Sequence, residues 1–248
     1  MSSNANLITM LDELNLPVAA ERLTQLLNSP ELSDYSPQQL LMEVIEPQYM
    51  DTMDRRYMTN LRLSRLINKN AQVENLVTSS ARRYNEDVVQ QLRSFRFAED
   101  RLNVGIYGVT AAGKSYFMSA FCREACRLNY RCVYIDYCDL LDELLILSRR
   151  DNLERYRKRL KYYARLQLLF IDDFAISRYS EDGIKILYHL IKTRTDLETS
   201  TMFTSSMHPP SGASSSAMRK AATESWTAFD AALPPVIQSI LSGCNQPV

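Results

Sequence analysis

Net charge is the first thing this sequence lacks. Its 29 lysines and arginines are balanced by 29 aspartates and glutamates. The chain as a whole is therefore not a basic coat for nucleic acid, and any contact with DNA has to come from local patches. It also lacks a long apolar run. No stretch approaches the roughly 20 residues of a membrane-spanning helix, so no membrane partner is expected. The opening Met-Ser-Ser-Asn-Ala-Asn leads into an amphipathic stretch with Asp12 and Glu13, not into a signal peptide. Metal-binding spacing is missing too. The five cysteines, Cys122, Cys126, Cys132, Cys138 and Cys244, form no CxxC pair, and only His189 and His208 accompany them. Zinc is not expected. Cys122 and Cys126 share a helix face and read as buried reduced thiols, which points to a reducing cytoplasm. What remains is 248 residues of ordinary apolar content and moderate charge, enough for one sizeable domain or a domain with a small appendage.

Against these absences stands one dense motif. Val104, Ile106 and Tyr107 read as a short buried strand, and Phe117, Met118, Ala120, Phe121 and Ala125 as the apolar stripe of a helix opening at Ser115. Between them runs Gly108-Val109-Thr110-Ala111-Ala112-Gly113-Lys114-Ser115, with Tyr116 next. This fits the P-loop pattern, strand before and helix after. Small residues let the loop wrap a phosphate with its backbone N–H groups pointing inward, and the helix adds the positive end of its dipole. Lys114 is placed to reach the β- and γ-phosphates of ATP, and the Ser115 hydroxyl to ligate Mg²⁺. Residues 108–116 are thus the candidate nucleotide-binding stretch. The competing reading is a chance strand–helix turn.

A second chemical element is Leu166-Gln-Leu-Leu-Phe-Ile171-Asp172-Asp173, an apolar strand ending in two carboxylates. Behind a P-loop it reads as a Walker B strand. Asp172 would hold Mg²⁺, and Asp173 would orient the attacking water as general base. Neighbouring strand residues point to opposite faces, which would let one acid address the metal and the other the water. A polar strand end, Thr199 to Ser206, follows a helix over 181–196. Ser206 or Thr204 is placed there to touch the γ-phosphate or the water, and a plain strand end is the alternative. Lys114, Asp172, Asp173 and Ser206 are the candidate catalytic residues.

The remaining stretches read as follows. Residues 5–28 show helical spacing broken near Pro17. Ser36-Pro37 is an N-cap followed by proline at the first helical position. A third helix is expected over 48–68, carrying Arg55, Arg56, Arg62 and Arg65. Residues 1–68 would form a small all-helical module, 69–85 a linker, and 86–210 the nucleotide-binding core, entered by a helix near 86–97. After a buried strand, Arg131–Asp136, Asp139 is a candidate cap for a helix over Leu140–Leu147. A basic stretch from Arg149 to Arg165 then interleaves Tyr156, Tyr162 and Tyr163. It reads either as a solvated helix face or as a surface that tracks a nucleic-acid backbone, with Arg155, Arg157, Lys158, Arg159 and Lys161 as the candidate DNA contacts.

With the P-loop, the Asp172-Asp173 pair and the Thr-Ser-Ser strand end in place, the sequence resembles the IstB/DnaC-like branch of the AAA+ ATPases over roughly residues 5–210. The opening from Leu11 to Pro17 and the lead Leu92-Arg-Ser-Phe-Arg-Phe-Ala-Glu-Asp-Arg-Leu-Asn103 are similar to the IstB subgroup. The resemblance implies an α/β fold, a doubly wound parallel sheet of the P-loop NTPase (AAA+) type, preceded by the helical module. It implies ATP and Mg²⁺ as cofactors, self-assembly into a homo-oligomer on duplex DNA, and help to the transposase of the same insertion sequence in choosing a target. The helicase loaders of the same branch offer an alternative, and a degenerate nucleotide-binding scaffold a further one. A small-molecule P-loop kinase is the reading from another class. The resemblance fails after Met207. Residues 211–248 read as a divergent low-complexity segment, with no arginine finger and no convincing final strand. Val236–Leu241 is expected either to cover the edge of the P-loop strand or to form a short helix, and efficient hydrolysis is less firmly expected than nucleotide binding.

Overall fold

The computed structural model describes residues 3–76, 86–149, 153–174, 180–206 and 236–240. The chain divides into two compact units, Met1–Thr59 and Asn60–Val248. The boundary falls inside a helix, ahead of the break at 68 that the sequence suggests.

In the first unit α1 (Ser3–Glu13) and α2 (Pro17–Leu27) are separated at Pro17, which takes the first position of α2. A 3-10 turn, Pro30–Asp34, leads to α3 (Pro37–Leu63). Ser36 and Gln39 form a reciprocal cap. The Ser36 N–H donates to Gln39 Oε1 at 2.9 Å, and the Gln39 N–H donates to Ser36 Oγ at 3.3 Å. The core is Ala19, Leu26 and Val44, with Leu11, Leu16, Leu23 and Tyr35 packed around them. The two helices expected on either side of Pro47 are one continuous helix. Proline removes one N–H and costs about 3 kcal/mol inside a helix. The next residue shows what holds that turn in place. Gln48 is buried, and its Oε1 accepts from the N–H groups of Val18 and Ala19 at 3.0 and 3.3 Å. It supplies the first turn of α2 with the acceptor that Leu16, lacking a polar side chain, cannot give.

The second unit is a five-stranded parallel sheet in the order β2-β3-β4-β1-β5. Its strands are β1 (Asn103–Tyr107), β2 (Cys132–Asp136), β3 (Leu168–Asp172), β4 (Ser200–Ser205) and β5 (Val236–Ile240). The central three are buried along their length, as a sheet covered on both faces requires. Val133, Ile135, Leu169, Ile171 and Phe203 face a core built with α7 (Tyr137–Arg149), α8 (Leu153–Ala164) and α9 (Glu181–Asp196). The alternate residues face the other side, where α6 (Lys114–Arg127) packs. Helices on both faces of a parallel sheet make the doubly wound α/β fold. Of the two readings open for Val236–Leu241, the structure bears out the edge strand. β5 pairs with β1 from Asn103↔Val236 to Tyr107↔Ile240, so the edge of the P-loop strand is covered.

Three local readings also change. The entry helix near 86–97 is two pieces, α4 (Glu86–Arg93) and α5 (Arg96–Glu99), because buried Phe95 takes a left-handed turn at φ 53°. Helix α7 starts two residues before the expected cap. Asp136, not Asp139, caps it, accepting from the N–H groups of Cys138 and Asp139 at 2.7 and 3.3 Å. Within the expected linker, Ala71 and Val73 are buried. Arg123 donates to the Ala71 carbonyl at 3.3 Å and Arg93 to that of Val73 at 2.7 Å, tying this stretch to α6 and α4.

Candidate functional site

Because all strands run parallel, the ends of β1, β3 and β4 lie along one edge of the sheet. Since β4 lies between β1 and β3, its last residues stand between the P-loop and the paired aspartates. The Gly108 N–H donates to the Ser205 carbonyl at 3.2 Å, and the Phe174 N–H to that of Thr204 at 2.7 Å.

The P-loop leaves β1 at Gly108 and enters α6 at Lys114. Gly113, at φ 90°, makes the turn into the helix, and Ala111 also lies in the left-handed region at φ 66°. No side chain caps α6, so its first N–H groups are available to an anion. Val109, Thr110, Ala111 and Ser115 are exposed, Gly108 and Ala112 buried, and Gly113 and Tyr116 half-buried. Lys114 is 5% exposed. Its ammonium donates to the carbonyls of Gly108 and Val109 at 2.9 and 3.0 Å and to Ser206 Oγ at 3.1 Å. Burial lowers its pKa, while the charges of Asp173 and Asp172 oppose that shift.

Asp172 closes β3 and is buried. Its carboxylate accepts from the Tyr134 hydroxyl on β2 and from the Thr204 hydroxyl on β4. Asp173 follows at φ 50°, a left-handed conformation costing a non-glycine residue about 1–2 kcal/mol. Its N–H donates to Asp172 Oδ1 at 3.1 Å and Thr204 Oγ1 at 3.0 Å, which holds the turn. Strand pleating is thus not what separates the two carboxylates, since the strand ends at Asp172 and the backbone turns at Asp173. Burial raises the pKa of Asp173. The neighbouring Asp172 charge adds to this, and Lys114 opposes it. A carboxylate held toward its protonated form beside an ammonium and a second acid is the usual setting of a group that handles a proton.

Lys114 bonds to Ser206, and Asp172 and Thr204 form a second hydrogen-bonded cluster that Asp173 joins through its backbone, with the charges of Lys114 and the two aspartates interacting between them. Tyr134 completes that cluster and was not read from the sequence. A tyrosine in the middle of a buried strand looks like core, and only the sheet register places it beside β3. For Mg²⁺ the donors are suitable hard oxygens, the exposed Ser115 hydroxyl and the Asp172 carboxylate.

The candidate DNA residues lie elsewhere, on α8. Arg155, Arg157 and Lys161 are exposed. Lys158 pairs with Glu154 at 2.7 Å on the surface. Arg159 differs from these. It is half-buried, pairs with Glu143 of α7, and lies 5.1 Å from the ring centres of Tyr162 and Tyr163. The Tyr163 hydroxyl donates to the same Glu143 at 2.5 Å, so Arg159 helps to join α8 to α7. Residues 207–235, where the family resemblance implies an arginine finger and the sequence shows none, lie outside the described residues.

Comparisons with known proteins agree with this geometry. The family described as IstB-like ATP binding protein matches residues 9–211. The ATP-binding protein of insertion sequence IS1162 from Pseudomonas fluorescens is 24% identical over 209 residues, 84% of this chain and 89% of its own. That of IS5376 from Geobacillus stearothermophilus is 22% identical over 181 residues, 73% of this chain and 70% of its own. Among solved structures, the DnaC helicase loader aligns at 17% identity with TM-score 0.51, covering 68% of this chain and 97% of that one. AMPPCP-bound DnaA from Aquifex aeolicus aligns at 20% identity with TM-score 0.52, covering 70% of this chain and half of that one. At these identities the structural likeness establishes the fold, a doubly wound parallel α/β domain. The family match, over most of the chain and including the whole P-loop and both aspartates, establishes more: this chain belongs to the IstB-like ATP-binding proteins.

Proposed function

We propose that the chain is the helper ATPase of an insertion sequence. It binds ATP at residues 108–116, assembles as a homo-oligomer on duplex DNA, and assists the transposase of the same element in target selection in the cytoplasm. The observation that carries the reading is the convergence of Lys114, Asp172, Asp173 and Ser206 at one edge of the sheet, in a chain whose relatives are insertion-sequence ATP-binding proteins. In this reading the Lys114 ammonium leaves the Gly108 and Val109 carbonyls for phosphate oxygens, and Ser206 keeps it oriented. Asp173 accepts a proton from the attacking water. Ser115 and Asp172 hold Mg²⁺, which supplies charge neutralisation at the phosphates. Arg155, Arg157 and Lys161 are the DNA contacts, with Lys158 joining them on release from Glu154.

The test is ATP turnover by the purified chain with and without duplex DNA, beside Lys114→Ala. Turnover raised by DNA and lost in the variant is expected. Binding without turnover would favour a nucleotide-binding scaffold, and a stoichiometric complex with a replicative helicase would favour the loader reading. If contact with DNA is electrostatic, log K falls with log salt at about −0.9 per neutralised phosphate, and charge reversal at Arg155, Arg157 and Lys161 flattens that slope.

A further inference from the structure

Behind the P-loop helix, on the face of the sheet away from the α7–α9 core, three thiols meet. Cys122 and Cys126 lie one turn apart on α6, and Cys132 opens β2. The Sγ atoms of Cys126 and Cys132 are 3.4 Å apart, those of Cys122 and Cys132 are 3.9 Å apart, and all three lie within 4.8 Å of one another. The residues are 0%, 0% and 3% exposed. Three sulfurs bound to one centre at about 2.3 Å, with bond angles between trigonal planar and pyramidal, stand about 3.4–4.0 Å apart. The cluster already has that spacing, without backbone movement. Among the described residues no fourth Cys, His, Asp or Glu ligand atom joins the group, so a tetrahedral structural zinc site is incomplete.

We infer that Cys122, Cys126 and Cys132 form a three-sulfur site for a soft, thiophilic ion, trivalent arsenic being the chemistry that fits it best. The argument is charge. Three thiolates leave a net charge of −2 on a monovalent ion and −1 on a divalent one, and burying net charge in an apolar interior is costly. A trivalent centre leaves none. The step balances without an oxidant: As(OH)₃ and three thiols give As(S-Cys)₃ and three waters, each thiol proton leaving with one hydroxide. A cavity of about 250 Å³ has Cys132 in its wall, together with Arg131, Tyr162 and Leu166. Occupancy would pin α6, the helix that follows the P-loop, to β2.

The experiment uses the full chain, reduced with a phosphine, and takes arsenite and Zn²⁺ in separate arms. Bound element is counted after dialysis, and alkylation followed by mass spectrometry reports which of the five cysteines are protected. The expected result is one arsenic per chain with Cys122, Cys126 and Cys132 protected and Cys138 and Cys244 modified. Binding should be lost in Cys126→Ala and Cys132→Ala and kept in Cys138→Ala. If a variant does not fold, the test rests on the arsenic retained per unmodified chain and on protection of the three thiols gained over an arsenite-free control, because burial alone already slows their alkylation. No arsenic retained, protection that includes Cys138 or Cys244 equally, or zinc held at one equivalent where arsenite is excluded would each overturn the assignment. None of these readouts depends on ATP turnover.

Discussion

Two buried cations in the second unit invite comparison. Lys114 is 5% exposed and Arg194 is 1% exposed, and both donate to backbone carbonyls. Arg194, in the last turn of α9, donates to the carbonyls of Tyr163, Leu166 and Ser200 at 2.6, 3.0 and 2.5 Å and to Thr201 Oγ1 at 2.9 Å. A planar guanidinium with five donors is thereby fixed from several directions, stitching α9 to the end of α8 and the starts of β3 and β4. Lys114 sits at the opposite edge of the sheet. Its acceptors are two carbonyls of a loop and one serine hydroxyl, on a flexible stem. The acceptors around Arg194 come from several buried segments, whereas those around Lys114 belong to a loop whose Val109 and Thr110 are exposed. One buried charge is part of the frame, and the other is parked where an anion can take it up.

The sharpest way to break that comparison is to remove each cation. Lys114→Ala is expected to lower ATP turnover by about a thousandfold or more. It should also abolish the rise in Tm on adding nucleotide, which at a hundredfold excess over Kd corresponds to about 2.7 kcal/mol in a binding-competent chain. Its stability without nucleotide should stay within about 1 kcal/mol of the parent. A large loss of stability in denaturant titration would make Lys114 a structural residue like Arg194.

Asp173→Asn comes next, expected to cost about 10²–10⁴ in turnover. The sign of its stability effect is set by the raised pKa. The native state holds this proton more tightly than the unfolded chain. The contribution of Asp173 is therefore fully present below the ordinary carboxylate pKa and is lost as pH rises through the raised value. At neutral pH the asparagine variant should be as stable as the parent or more so. Turnover of the parent should fall as pH drops through that same window, because a protonated Asp173 cannot accept a proton. A pH profile that stays flat in the parent would remove Asp173 from the proton's path.

Arg194→Met should leave nucleotide binding intact in whatever folds and cost about 3 kcal/mol or more, because at least three buried carbonyls lose their donor. For a chain of this length that is roughly 6–12 °C in Tm. Tyr134→Phe is the smallest step. Removing one donor to the Asp172 carboxylate should cost about 1.5 kcal/mol, measured by denaturant midpoint, with nucleotide affinity retained.

The comparison also explains what could be read in advance. The P-loop, the paired aspartates, the polar strand end and the doubly wound sheet depend on local pattern, and pattern is what a sequence displays. Gly113 at φ 90° and the uncapped start of α6 are local consequences of the motif. Arg194, Tyr134 and the thiol trio depend on neighbours brought together by crossovers, and their types are unremarkable in their own segments. The helix expected to start at 48 is the continuation of α3 through Pro47, and the Gln48 link to α2 spans 29 and 30 residues, beyond the reach of local pattern. Strand β5 stayed undecided between an edge strand and a short helix because its approach reads as low complexity, and Arg159, in a run of like charges, did not reveal its partner Glu143 on the preceding helix.

The central claim is that the bonds of Lys114 are exchangeable for phosphate. Titrating ATP into the purified chain and into Lys114→Ala by calorimetry, with folding of both verified beforehand, tests it most directly. One site per chain in the parent, weakened at least a hundredfold in a folded variant, is the predicted result. Equal affinity in the two would contradict it and leave Lys114 a fixed part of the frame.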